Sequence, residues 1–257
     1  MTDTHIHIER GMYTEEWILE FINQAIKMGL DEIYLLEHSH RFEEFAPMYE
    51  SICKYSEYQK NWYFRNRGLS IKEYENLILN IRQNNYPIKI KWGLEICYFP
   101  EYEKLISEII NSFSYDFAIG SIHWVNGFGF DHKPDFWLGL DANAIYTRYY
   151  ELMIQLVRSK LFTGLAHPDS IKCFGYLPSK DLSCTYEILA GELVNCGVYA
   201  EQSGGLALNY GFHEKGMNKT MLEVFKKFKV DIRCASDAHK PEDVGANIKD
   251  MQVLLQF

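Results

Sequence analysis

The chain has 257 residues, a length that suits one α/β barrel. Hydrophobic residues make up 47% and charged residues 24%, the composition of a globular protein with ample core. A formal charge of −9 argues against a general nucleic-acid binder, because phosphate contacts need clustered Lys and Arg. A phosphorylated small molecule stays open as a ligand, since metal ions can supply positive charge locally.

Short β-rich runs alternate with longer helical segments. In chain order the expected strands are 2–7, 32–37, 88–98, 117–123, 162–167, 197–202 and 231–236. The expected helices are 14–28, parts of 42–84, 101–113, 142–159, 182–195, 219–229 and 242–255. Thr14 reads as an N-cap, Gly29 and Gly197 as helix stops, and Pro241 as a first-turn proline. Sevenfold β/α alternation predicts a single-domain, TIM-like barrel over 1–257, with a parallel sheet closed or nearly closed by helices. The longest interruption, at about 41–71, contains "YSEYQKNWYFRNRGLS" and reads as a lid or substrate loop, the plainer alternative being an extra surface helix.

Cys53, Cys97, Cys173, Cys184, Cys196 and Cys234 form no CxxC pair and read as thiols of a reducing compartment. No basic segment followed by an apolar run opens the chain. No apolar stretch approaches the roughly 18 residues of a spanning helix. A cytoplasmic location without a membrane partner is expected.

The strand ends carry the chemistry. His5 and His7 in "THIH" point to one face if the segment is extended. "LLEHSH" places His38 and His40 past the second apolar run, and Glu95 interrupts the buried third run "KWGLEICYF". A carboxylate there needs a cation or hydrogen-bond partners. His123, His167, Glu201 and the pair Asp237 and His239 end the remaining strands. In parallel β/α barrels that rim is where the active site forms. Any one of these histidines is unremarkable. Seven strand ends alike point to two or three zinc, manganese or iron ions, with Glu95 suited to bridge two of them.

"DTHIH", "LLEHSH", "GLEICY", "GSIHWVNGFGFD", "AHPD", "EQSGG" and "SDAH", in this order, resemble the PHP (polymerase and histidinol phosphatase) superfamily, in its histidinol-phosphatase branch. The resemblance implies a distorted barrel of seven β/α units around a trinuclear metal site. One ion would take His5, His7, Glu95 and Asp237; a second, Glu95, His123 and His167; the third, His38, His239 and a ligand from the loop after the first strand. The usual further histidine of that loop is missing here, which leaves Glu9, with Glu15 as substitute.

Such a site suits phosphoester hydrolysis by a metal-activated hydroxide, and the resemblance implies L-histidinol phosphate as substrate, a step of histidine biosynthesis. Asp237 or His239 is a candidate to protonate the leaving alkoxide. Arg41, Lys172 and His40 are candidate substrate contacts. Glu201 is placed either behind a metal ligand or against an amino group of the substrate, whereas Arg10 reads more readily as a solvated charge. Three rivals are weighed: another phosphoesterase of the superfamily acting on phosphotyrosine or nucleic-acid ends, an amidohydrolase-type enzyme, and a non-catalytic metal-binding protein. Net acidity opposes polynucleotides, seven strands without a bridging lysine oppose the amidohydrolase plan, and the complete donor set opposes loss of catalysis.

Overall fold

The computed structural model describes residues 1–256. Seven strands form one parallel sheet: β1 (Thr2–His7), β2 (Glu32–His38), β3 (Lys89–Cys97), β4 (Phe117–Ser121), β7 (Gly164–Leu165), β8 (Tyr199–Ser203) and β9 (Ile232–Ala235), adjacent in that order. β5 (Trp124–Val125) and β6 (Phe128–Gly129) make a separate hairpin. The helices are α1 (Glu15–Met28), α2 (Glu50–Tyr55), α3 (Glu57–Asn66), α4 (Ile71–Ile81), α5 (Glu103–Ile110), α6 (Ala142–Ser159), α7 (Ser183–Cys196), α8 (Gly205–Tyr210), α9 (Lys219–Lys227) and α10 (Ile248–Gln256). Among the described residues no helix is long and apolar enough to cross a membrane.

The ring closes just beyond the last strand. Asp237 N–H donates to His5 O at 3.0 Å and His7 N–H to Ala238 O at 2.8 Å. The buried Asp3 carboxylate reinforces the seam by accepting from Ser236 N–H at 2.8 Å and Gly245 N–H at 2.9 Å. The result is the distorted seven-stranded barrel that the β/α alternation predicts.

Alternation along the strands separates two environments. Ile6, Ile33, Leu35, Leu94 and Ile96 join the main core against the helices. Residues of the opposite parity face inward, where Tyr34, Leu36, Phe117, Ile119, Ala166 and Tyr199 form a small separate cluster. His5, His7, His38, Glu95 and Glu201 share that inward parity. The barrel is therefore apolar in part of its interior and ionic where the strands end.

Three local expectations change. The fourth strand stops at Ser121 rather than His123, because the chain turns into the β5–β6 hairpin. Asn126 and Gly127 both have positive φ, 53° and 81°, which matches the twist of a two-residue hairpin turn. Pro241 opens only a 3₁₀ turn, and the last α-helix starts at Ile248 after Gly245 and Asn247, both of positive φ. α8 arises where no helix was expected.

The 41–71 excursion is packed. Its two ends zip together through Leu69 N–H to Arg41 O and Glu43 N–H to Leu69 O, each 3.0 Å. Phe42, Phe45, Met48, Tyr49, Ile52 and Tyr63 are buried in the main core.

Gly93 leaves room for the Phe117 ring, since a Cβ there would lie 2.5 Å from Phe117 O and 2.6 Å from its ring. Backbone cannot yield as a side chain can, so Gly93→Ala should lower stability by about 1–3 kcal/mol, read by urea unfolding.

Candidate metal centre

Each inward strand delivers a donor to the same rim. His5 and His7 end β1, and His38 ends β2 directly beside Glu95 of β3 in the parallel register. Glu9, His123, His167 and Asp237 each lie two residues past a strand end, and His239 lies four past β9. His167 and Asp237 take positive φ, 26° and 57°. For non-glycine residues that conformation is sparsely populated and recurs at functional sites.

Glu95 is the point of convergence and is 1% exposed. Its Oε1 is 3.1 Å from both His123 Nε2 and His167 Nε2. Its Oε2 is 2.8 Å from His38 Nδ1, 3.3 Å from His7 Nε2 and 3.4 Å from His5 Nε2. Asp237 Oδ1 stands 3.5 Å from His5 Nε2, 3.6 Å from His7 Nε2 and 3.5 Å from His239 Nε2. Glu9 Oε1 is 2.7 Å from His239 Nδ1. Glu15, the substitute for Glu9, is elsewhere: it accepts from Asn84 and Tyr86 on the surface.

This donor set fits cations better than it fits itself. His5 Nε2 and His7 Nε2 approach to 2.8 Å, a spacing at which two imidazole nitrogens must share a proton or a metal. Glu95 Oε2 is buried without a well-formed hydrogen bond, and so is His7 Nδ1. Three groups have donor atoms within 4.8 Å of one another: His5, His7 and Asp237; Glu95, His123 and His167; and His7, His38 and His239. His7 thus belongs to two groups, where the family pattern places it in one. Borderline divalent ions take such mixed imidazole and carboxylate sets.

Charge follows the same geometry. Burial works against ionised Glu95, yet His38 and the hydrogen bonds from His123 and His167 hold it well below the carboxylate range. Burial together with the neighbouring His38 and His239 pushes His7 down to about 4. For His239 burial acts downward but Asp237 and Glu9 win, raising it to about 9. A cation bound at His239 would displace that proton.

The donors open onto a cavity of about 440 Å³. Glu9, His38, His123, His167, Asp237 and His239 line it together with Arg10, His40, Tyr58, Trp62, Trp124 and His132.

With this geometry in place, comparison with known proteins decides the family. The PHP domain model matches residues 3–201. The chain belongs to the PHP domain family. A probable histidinol-phosphatase of Deinococcus radiodurans is 25% identical over 97% of this chain and 90% of that protein. One from Schizosaccharomyces pombe is 24% identical over 89% of this chain and 76% of that protein. The histidinol phosphate phosphatase of Lactococcus lactis, solved with zinc, L-histidinol and phosphate, superposes with a TM-score of 0.73 at 18% identity. That superposition covers 99% of this chain and 92% of the other. The PHP match ends before Asp237 and His239, which the fold returns to the same rim.

Two of the expected substrate contacts, Arg41 and Lys172, are placed otherwise in this PHP barrel, and Glu201 takes the first of its two expected places. Arg41 does not line the cavity; its Nε is 3.3 Å from Glu37 Oε2 and its Nη1 3.6 Å from Glu9 Oε2, so it braces Glu9 from behind. Lys172 is buried and saturated by Asp169 and Glu214, each 2.6 Å away, and by Gly216 O at 3.0 Å. Glu201 is fully buried, with Oε2 3.0 Å from His5 Nδ1 and accepting from His167 N–H at 3.1 Å. It stands behind His5 and does not line the cavity. His40 lines the cavity, and so does Arg10.

Asp131, which no reading of the strand ends singled out, lies 2.7 Å from His123 Nδ1. Its signal was the carboxylate that closes "GFGFD", eight residues after the histidine. Such partners fix the tautomer and ring plane of a ligating histidine.

Gly205 begins α8 so close to Asp237 that a Cβ would sit 1.9 Å from Oδ2. Gly205→Ala should displace that carboxylate and weaken metal retention by about 10–100-fold, measured by metal content after dialysis against a chelator series. Retained far-ultraviolet circular dichroism will show that the fold survives.

Proposed function

We propose that the chain is a metal-dependent phosphomonoesterase that hydrolyses L-histidinol phosphate to L-histidinol and phosphate. The observation that carries this reading is the convergence of His5, His7, His38, His123, His167, His239, Glu9 and Asp237 around one buried carboxylate, Glu95, at the mouth of a cavity. The relatives named as histidinol-phosphatases and the L-histidinol and phosphate held by the Lactococcus lactis structure support the choice of substrate.

In this reading His5, His7, Glu95 and Asp237 hold one ion, Glu95, His123 and His167 a second, and Glu9, His38 and His239 a third. Zinc, manganese or iron bound there supplies Lewis acidity and an activated water for in-line attack on phosphorus. The protein does the rest. Glu201 and Asp131 hold His5 and His123 in the tautomer that turns Nε2 toward Glu95. Arg41 supports Glu9, and Arg10 with His40 offers positive charge or hydrogen-bond donors to phosphate oxygens at the cavity wall. Asp237 and His239 stand at the rim, where a proton can pass to the departing alkoxide.

A panel of phosphomonoesters with zinc or manganese tests this. Histidinol phosphate should be preferred over sugar phosphates and nucleotides, and equal turnover of all would defeat the specific assignment. His123→Ala and Asp237→Ala should each lower kcat by at least about a hundredfold, the scale of losing one charge-stabilising group. Retained metal with no turnover of any phosphoester would instead mark a non-catalytic protein. Arg10→Ala should raise KM for phosphomonoesters about tenfold, whereas Lys172→Met should act through thermal stability.

A further inference from the structure

Beside the donors, the cavity is walled by rings from two separate segments. Tyr58 and Trp62 come from α3, within the 41–71 excursion. Trp124 comes from β5, and His132 follows the hairpin. The Trp62 ring is 4.7 Å from His132, 5.7 Å from Trp124 and 4.7 Å from His40, and Tyr58 is 5.9 Å from His132. These spacings are those of interacting aromatic pairs. His40 in turn lies 4.7 Å from His38, so the rings are continuous with the donor cluster.

Gln59 locks the two segments together. It is fully buried between Tyr58 and the hairpin. Its Nε2 donates to Gly127 O at 2.8 Å and Ile52 O at 3.0 Å, and its Oε1 accepts from Gly129 N–H at 2.8 Å. A side chain that satisfies backbone groups on both segments fixes the wall before any ligand arrives. These bonds tie the excursion to the hairpin as one wall of the cavity.

Two polar atoms in this wall have no partner. Trp124 Nε1 and His132 Nδ1 are buried without a hydrogen bond, and Trp124 as a whole is 5% exposed. Buried polar atoms are nearly always paired, so an indole donor and an imidazole nitrogen left over beside a cavity point to a ligand with polar atoms of its own. About 440 Å³ accommodates a phosphate at the donors and a ring against these aromatics.

We propose that Trp62, flanked by Tyr58, Trp124 and His132, forms the leaving-group subsite and selects phosphomonoesters whose alcohol carries a flat ring, with Gln59 as the positioning residue. The proposal rests on the phosphomonoesterase reading above and deepens it: the ring side of specificity resides in the excursion and the hairpin. Phosphate is left to the donors and Arg10.

Paired esters separate the two readings. 3-Phenylpropyl phosphate and propyl phosphate release alkoxides of similar basicity, so the ratio of their kcat/KM values reports ring recognition alone. The metal-loaded wild type should favour the phenyl ester by about tenfold or more, the scale of a filled apolar subsite. Trp62→Ala should bring that ratio toward unity, Trp62→Phe should keep most of it, and Gln59→Ala should lower it through KM. A ratio near one in the wild type, or unchanged in Trp62→Ala, would overturn the proposal, because a merely structural role lowers both esters alike. Should Trp62→Ala fail to fold, Tyr58→Ala at the half-buried edge carries the same comparison. If neither ester nor histidinol phosphate is hydrolysed, the phosphomonoesterase reading fails, and calorimetric titration with 3-phenylpropanol then decides the subsite. Saturable binding that Trp62→Ala weakens at least tenfold upholds it, and no binding in the wild type removes it.

Discussion

One buried carboxylate organises this protein. Glu95 sits inside the barrel with no lysine or arginine paired to it among the described residues, and five imidazoles from four other segment ends surround its two oxygens. An isolated ion in such a place costs several kcal/mol even after relaxation. The surrounding histidines offset that cost, and cations bound among them would offset it further. The same residue explains why the histidines adopt positions that leave their nitrogens facing one another.

The rest of the barrel serves that arrangement. Inward parity on β1, β2, β3 and β8 brings His5, His7, His38, Glu95 and Glu201 to one side of the strands, above the cluster of Tyr34, Phe117 and Tyr199. The outward residues of the same strands pack against the helices, so one pleat supplies both the core and the site. Behind the donors, Glu201, Asp131 and the Arg41–Glu37 pair hold ring planes and carboxylates in place. The positive φ of Asp237 and the missing side chain at Gly205 let the last turn come back over β1.

Much of this was legible in the chain itself. Strand positions followed from apolar runs punctuated by caps, and the donors followed from His, Asp and Glu recurring where each run ended. Glu9 was named on the strength of a missing histidine, and it does face His239. What escaped reading depends on contacts between segments far apart in sequence. Lys172 looked like a phosphate contact until Asp169 and Glu214 were found to enclose it, and Arg10 looked like a surface charge until the barrel placed it on the cavity wall. Nothing local distinguishes Gln59 from any other glutamine on a polar helix. Its role exists only because the excursion and the Asn126–Gly127 hairpin meet.

The most direct measurement of the central claim is anomalous X-ray diffraction from crystals grown with zinc and phosphate. The account predicts two or three zinc peaks, at least two of them sharing Glu95 at about 2.0–2.2 Å and each also bonded to a histidine named above. Phosphate should bridge the ions and reach toward Arg10. Zinc bound away from Glu95, or a Glu95 carboxylate contacted by no ion at saturating metal, would contradict it.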